Sequence, residues 1–221
     1  MKHTLMILAA MVLLVGCRAG GVNAQPTSQP SEATEGTPLA PAPADGQATA
    51  IFAGGCFWCM EGPFEALDGV DEVLSGYTGG PEVGPVYQDV AYGRTGHTEA
   101  VIVYYDPTEV TYGQLVEVFW RSMDPTDNGG QFADRGSQYR PGIFVANDAE
   151  RAIAEQSKAA LEASDRFDEP IVVPIQDAEP FYVAEDYHQN YYRTNPGHYQ
   201  RYRRGSGREG FLQQHWGDDA Y

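Results

Sequence analysis

Ala50-Ile51-Phe52-Ala53-Gly54-Gly55-Cys56-Phe57-Trp58-Cys59 is followed by Met60-Glu61-Gly62-Pro63-Phe64-Glu65-Ala66-Leu67. The first four residues read as a short buried strand, and Cys56–Leu67 as a helix-compatible stretch. The glycine pair marks the junction between them. A thiol at a strand-to-helix junction lies among unpaired backbone N–H groups at the positive end of a helix dipole. That setting is expected to lower its pKa and populate the thiolate. A second thiol three residues on is placed to capture whatever the first becomes. The pattern points to cysteine redox chemistry.

Working outward, strand-like and helix-like segments alternate from residue 49. Val70–Tyr77 reads as extended, and Gly79-Gly80-Pro81 with Gly84-Pro85 as a loop. Ala100–Tyr105 is a strong strand closed by Asp106-Pro107. Tyr112–Met123 carries a helical stripe of Leu115, Val116, Phe119 and Trp120. Gly142–Ala146 reads as a strand. Asp148–Ala163 reads as a helix with Asp148 as N-cap and Ile153 and Leu161 on its buried side. Ile171–Ile175 reads as a further strand, and Glu185–Tyr192 as a short last helix. This order predicts an α+β or α/β domain with helices flanking a mixed sheet.

The start of the chain has a different character. Lys2 precedes an apolar run, Leu5–Val15, too short to span a bilayer comfortably. The run ends in Leu14-Val15-Gly16-Cys17, which resembles a bacterial lipobox. Residues 1–16 are expected to be a lipoprotein signal peptide, and Cys17 the lipidated anchor in the cell envelope. Residues 17–48, rich in Pro, Ala, Ser and Thr, are expected to form a flexible tether. The domain is then placed at 49–221.

The formal charge of −17, with Lys2 and Lys158 the only lysines, argues against a nucleic-acid partner. Three cysteines cannot staple a disulfide scaffold. No second Cys pair and no His pair at zinc spacing follows Cys59, so no metal site is expected.

The stretch GCFWCMEGPFEALDGV (55–70) and the GYTGG that follows it (76–80) closely resemble the A-type peptide-methionine sulfoxide reductases. So do Gly96-His97-Thr98-Glu99-Ala100-Val101, Asp134-Arg135-Gly136-Ser137-Gln138-Tyr139-Arg140 and Glu185-Asp186-Tyr187-His188-Gln189, in that order. The resemblance covers roughly residues 49–198. It implies a mixed fold with a ferredoxin-like two-layer core, no bound cofactor, and reduction of methionine-S-sulfoxide, free or in oxidised proteins. By the same resemblance Cys56 is the nucleophile and ends the first step as a sulfenic acid. Phe57 and Trp58 form the pocket for the substrate methyl group. Glu99 is the acid that protonates the sulfoxide oxygen, Tyr87 and Tyr139 hydrogen-bond that oxygen, and Asp134 orients the site.

One departure stands out. Many family members keep resolving cysteines in a C-terminal tail, but here no cysteine follows Cys59. Cys59 is therefore the expected resolving thiol, and a thioredoxin-like protein or dithiol the expected reductant. Direct attack of an external thiol on Cys56 stays open as the alternative. Two other readings compete with this one. A thioredoxin-fold oxidoreductase fits the CxxC and Val173-Pro174, but lacks a βαβ unit before Ala50. A lipid-anchored binding module leaves Cys56 and Glu99 without a role.

Overall fold

The computed structural model describes residues 36–221. The proposed signal peptide, Cys17 and most of the proposed tether lie outside the described residues. In chain order the elements are β1 (Ala48–Ala53), α1 (Glu61–Glu65), β2 (Val70–Thr78), α2 (Tyr87–Ala91), β3 (Thr98–Tyr105) and α3 (Tyr112–Trp120). A two-stranded ribbon follows, β4 (Gly130–Gln131) and β5 (Asp134–Arg135), then β6 (Gly142–Val145), α4 (Asp148–Glu162), β7 (Ile175–Asp177) and β8 (Tyr182–Val183). The chain closes with α5 (Tyr191–Thr194), α6 (Pro196–Gly205) and α7 (Arg208–Trp216).

The six-stranded sheet has the order β7-β6-β1-β3-β2-β8. All its pairings are antiparallel except β6 with β7. Its four inner strands run β6-β1-β3-β2, with α1 between β1 and β2 and α3 between β3 and β6. This is the ferredoxin-like arrangement that the resemblance implied, within a mixed α+β fold.

The period-2 alternation of β1 and β3 divides the core. Ala50, Phe52, Val101, Val103 and Tyr105 face the helices, where Phe52 stacks on Phe64 at 5.0 Å and on Phe119 at 5.4 Å. Ile51, Ala53, Ala100, Ile102 and Tyr104 face the other way, and there Phe144 and Phe181 pack against them. Among the described residues no long helix covers that second face. Residues from the proposed tether help to cover it instead. Ala40 packs on it, its N–H donates to the Phe181 carbonyl at 2.8 Å, and Leu39 bridges to Tyr182. The Tyr104 hydroxyl donates to the Pro41 carbonyl at 2.7 Å, and Thr37 donates to the Pro85 carbonyl. From residue 36 onward this segment is therefore part of the fold, because it satisfies backbone groups at a sheet edge and buries apolar surface.

Several element boundaries differ from the sequence reading. The segment after Cys56 is a 3₁₀ turn, Phe57–Cys59, followed by the five-residue α1. Asn147, not Asp148, caps α4: its side chain accepts from the Glu150 N–H at 3.0 Å. Ile153 is 38% exposed, and Ala154 and Leu161 form the buried side. Ile171 and Val173 are buried, but Ile171–Pro174 makes no ladder, since Pro174 has no N–H to donate; the strand begins at Ile175. Glu185–Tyr192 is broken at Asn190, whose φ of 52° is left-handed. A 3₁₀ turn, Asp186–His188, precedes the break and α5 follows it.

Candidate active site

The cysteine turn begins where β1 ends. Gly55 has a φ of +84°, which favours glycine, and a Cβ there would sit 2.5 Å from the Gln131 Cβ. The turn then closes locally: the Cys59 N–H donates to the Cys56 carbonyl at 3.0 Å and the Met60 N–H to the Phe57 carbonyl at 2.9 Å. This leaves the Phe57 N–H, adjacent to Cys56, free for another partner. That partner is Glu99 Oε2, at 3.1 Å.

Glu99 lies near the start of β3, a strand buried along its whole length. It is 2% exposed. Burial pushes its carboxyl up to about 8; the Phe57 N–H opposes the shift, and the charges of Asp134 and Cys59 add to it. At neutral pH the carboxyl is therefore mostly protonated, and it sits beside the thiol at residue 56.

The thiols behave differently from the expectation drawn from a helix dipole. Cys56 is 6% exposed, and burial, with the Cys59 interaction and the Glu99 charge, holds its thiol well above the ordinary range. Cys59 is pulled down to about 7, first by the hydrogen bond from Cys56, and also by the charges of Arg208 and Arg203. Three residues of 3₁₀ turn carry too little dipole to offset burial at Cys56. The two sulfurs act as a pair that gives up a first proton near neutrality, with the negative charge resting on Cys59.

Aromatic side chains wall the turn. Phe57 is buried against His188 and Tyr77, with ring centroids 4.9 and 6.0 Å away. Trp58 is half-buried, stacks on Tyr191 at 3.8 Å, and donates its indole N–H to His188 Nδ1 at 3.2 Å. Burial holds His188 neutral by lowering it to about 4, so its ring can accept that bond. Tyr87 packs on His188 with ring centroids 4.3 Å apart, and its N–H donates to Glu185 Oε1 at 2.8 Å. Burial and the Glu99 charge push Tyr87 up to about 12 and Tyr139 higher still, so both hydroxyls stay protonated as donors. Asp134, in the β4–β5 ribbon, accepts a hydrogen bond from the Tyr202 hydroxyl. Among the described residues no three His, Cys, Asp or Glu side chains gather as a metal site.

A family model described as peptide methionine sulfoxide reductase matches residues 48–220. The chain belongs to that family. The reductase is 56% identical over 169 residues to peptide methionine sulfoxide reductase MsrA of Bacillus velezensis, covering 76% of this chain and 96% of that one. The Bacillus subtilis MsrA is 55% identical over 168 residues, 76% of this chain and 95% of its own. Among solved structures, Mxr1 from Saccharomyces cerevisiae in reduced form aligns with a TM-score of 0.65 and 30% identity, over 72% of this chain and 90% of that one. Methionine sulfoxide reductase A of Corynebacterium diphtheriae aligns with a TM-score of 0.61 and 31% identity, over 75% and 90%. The protein is an oxidoreductase that reduces methionine sulfoxide.

In this reductase Cys56, Phe57, Trp58, Cys59 and Glu99 converge on one turn. Tyr87 reaches the turn through His188, which packs on Phe57, and Asp134 through Tyr202, which packs edge-on against Trp58; the Glu99 and Cys56 charges help to raise Tyr139. The sequence reading missed the contribution of the tail. Tyr191 and Tyr202 lie on α5 and α6, and Arg208 opens α7 with its side chain fully buried. Glu61 and Glu185, which fix the backbone at Asn190 and Tyr87, were also unassigned. The density of Tyr and His between Tyr187 and Tyr202 was the available signal.

Proposed function

We propose that Cys56 attacks the sulfur of methionine-S-sulfoxide while Glu99 protonates the departing oxygen. The oxygen passes to the Cys56 sulfur, two electrons pass the other way, and methionine leaves a sulfenic acid behind. Tyr87 and Tyr139 donate to the sulfoxide oxygen, and Phe57 and Trp58 receive the methyl group. Cys59 then condenses with the sulfenic acid: the S–S bond forms, the S–O bond breaks, and water leaves with the proton that Cys59 gave up. A thioredoxin-like dithiol reduces the disulfide and closes the cycle.

The observation that carries this reading is the Glu99 carboxyl, buried and held by the amide next to Cys56. Its position supplies a neutral acid at the point where negative charge develops on oxygen. The pairing of Cys56 with Cys59 in one turn supports the resolving step. The test is a single turnover on resolved R and S sulfoxides of an N-acetylmethionine substrate, followed by disulfide mapping. The expected result is one methionine per chain from the S epimer and a Cys56–Cys59 disulfide. Turnover in Cys56→Ser removes the assigned nucleophile. A free Cys59 after turnover assigns resolution to an external thiol.

The same reading places the enzyme on the cell envelope through Cys17. Lys2, the Leu5–Val15 run and Gly16-Cys17 support it. Cys17→Ala is expected to move the protein from the membrane to the soluble fraction, and unchanged fractionation argues against the anchor.

A further inference from the structure

Arg208 lies outside every motif that defines the site, yet it touches the cysteine turn. Its side chain is 1% exposed. Nη2 donates to the Gly54 carbonyl at 2.9 Å, Nη1 donates to the Ser122 carbonyl, and Nη1 lies 3.9 Å from the Met60 sulfur. The guanidinium lies over the Phe132 ring, 4.7 Å from its centroid. A Cβ on Gly55 would stand 3.0 Å from Nη2, so the cation abuts the backbone immediately before Cys56. It thereby ties together the end of β1, the residue pair after α3, and the start of α7.

A structural tie needs hydrogen bonds, and a neutral donor would provide them. A buried guanidinium is a costly choice for that task unless a negative charge shares the site. Among the described residues no carboxylate lies within ion-pairing distance of Arg208, whose bonds go to carbonyls and sulfur. Two groups that can carry negative charge lie around it: Cys59, the chain neighbour of Met60, whose sulfur is 3.9 Å from Nη1, and Asp134 in the β4–β5 ribbon. Asp134 already has the Tyr202 hydroxyl as donor. Cys59 has no cationic hydrogen-bond partner of its own. The other titratable groups around Cys59 are Cys56 in the same turn, Glu99 on β3, and Tyr199, Tyr202 and Arg203 on α6. Arg203 is less buried and bonds to the terminal carbonyl of Tyr221.

We propose that Arg208 is the positioning residue of the resolving step, its buried guanidinium holding the Gly54–Cys59 turn in shape and stabilising the negative charge on Cys59 as that sulfur attacks the Cys56 sulfenic acid. The proposal rests on the reading of Cys59 as the resolving thiol. It assigns to the tail a role in resolution even though the tail contains no cysteine. In the resolving step Cys59 supplies the electron pair, and no oxidant or reductant beyond the sulfenic acid enters. Arg208 touches neither substrate nor leaving oxygen.

The experiment uses the full chain with Cys17→Ser, so that two thiols remain. One equivalent of sulfoxide peptide is added, samples are quenched in acid, and sulfenic acid and disulfide are counted by mass across pH. In Arg208→Met the midpoint of disulfide formation is expected to rise by about one pH unit. That slows the step about fivefold at pH 7 and leaves it nearly unchanged at pH 9, as the thiolate fraction dictates. Arg208→Lys is expected to keep the parental midpoint, because it retains the charge. An unmoved midpoint in Arg208→Met overturns the proposal and leaves Arg208 a structural tie. A parent that forms no Cys56–Cys59 disulfide overturns this proposal together with the reading of Cys59. A second measurement keeps Arg208 in place: the thiolate absorbance of Cys59 in the Cys17→Ser, Cys56→Ser chain is titrated. A midpoint below about 8.5, the value of an ordinary thiol, is expected, and one at or above it overturns the proposal even if Arg208→Met does not fold.

Discussion

At the residue scale the chemistry depends on two protons held in opposite senses. Glu99 keeps its proton until pH rises through about 8, because burial penalises the carboxylate. The dithiol pair begins to lose a proton near 7, because Arg208, Arg203 and the bond from Cys56 favour charge on Cys59. On the proposed mechanism the buried Cys56 thiol gives its proton to the Cys59 thiolate as its sulfur attacks, so reduction needs Cys59 ionised and Glu99 protonated. The single-turnover rate is therefore expected to rise with pH through about 7 and to fall above about 8. Glu99→Gln keeps the hydrogen bond to the Phe57 N–H but has no proton to give. It is expected to slow methionine formation by about 10²–10⁴-fold and to abolish the alkaline fall. An alkaline limb that survives in Glu99→Gln assigns that limb to another group. That Glu99 meets the cysteine turn was legible from motif and residue type. The direction of the Cys56 shift was not, because a local dipole argument omits burial, which depends on α5, α6 and the distant strand β3.

At the element scale the turn is held from both sides by groups far away in sequence. Glu61, the first residue of α1, is fully buried, and its Oε1 accepts the Asn190 N–H at 3.1 Å. Its Oε2 has no partner. This bond fixes the left-handed Asn190 that turns the chain into α5, and so brings Tyr191 onto Trp58. Burial pushes Glu61 up to about 7. A carboxyl whose folded pKa is raised gives full stability below its unfolded value of about 4.3, and loses it as pH rises through the folded value. Glu99 acts in the same sense up to about 8. The melting temperature is thus expected to carry a falling component between pH 5 and pH 8 from these two residues. Glu61→Gln keeps the acceptor without the ionisation and is expected to flatten that fall in thermal melts. An equally steep fall in the variant assigns it elsewhere. Elements with a strong period were legible: β3 and α3 follow their hydrophobic patterns closely. Short elements were less so. The α4 cap moved by one residue because Asn147 accepts the Glu150 N–H while the Glu150 side chain returns to the Ala146 N–H. The last helices were missed because Gly197, Gly205, Gly207 and Gly210 break the pattern. What holds them is aromatic and guanidinium contact with the cysteine turn, which no local window displays.

At the scale of the molecule the sheet has one face under helices and one under residues 37–41 with Phe144 and Phe181. A composition rich in Pro and Ala reads as a tether because it cannot form its own core. It can still complete a core that others have built, and residues 37–41 do so over Ala100, Ile102 and Tyr104. The backbone of this segment is also well served, with the Ala40 N–H on Phe181 and the Val183 N–H on Pro38. Thr37 reaches further and bonds the Pro85 carbonyl, in the loop that leads into Tyr87. Four hydrogen bonds and the apolar surface closed over Ala100, Ile102 and Tyr104 act against the entropy of ordering the segment. For a domain of this size each kcal/mol is worth about 2–4 °C in melting temperature. A chain beginning at residue 48 is accordingly expected to melt several degrees below one beginning at residue 36. Thr37→Val removes only the bond to Pro85 and is expected to give a fraction of that loss. Because that bond steadies the approach to Tyr87, both changes are expected to raise KM for a sulfoxide peptide more than they lower kcat. Equal melting temperatures for the two chains would show that residues 36–47 rest on the sheet without stabilising it.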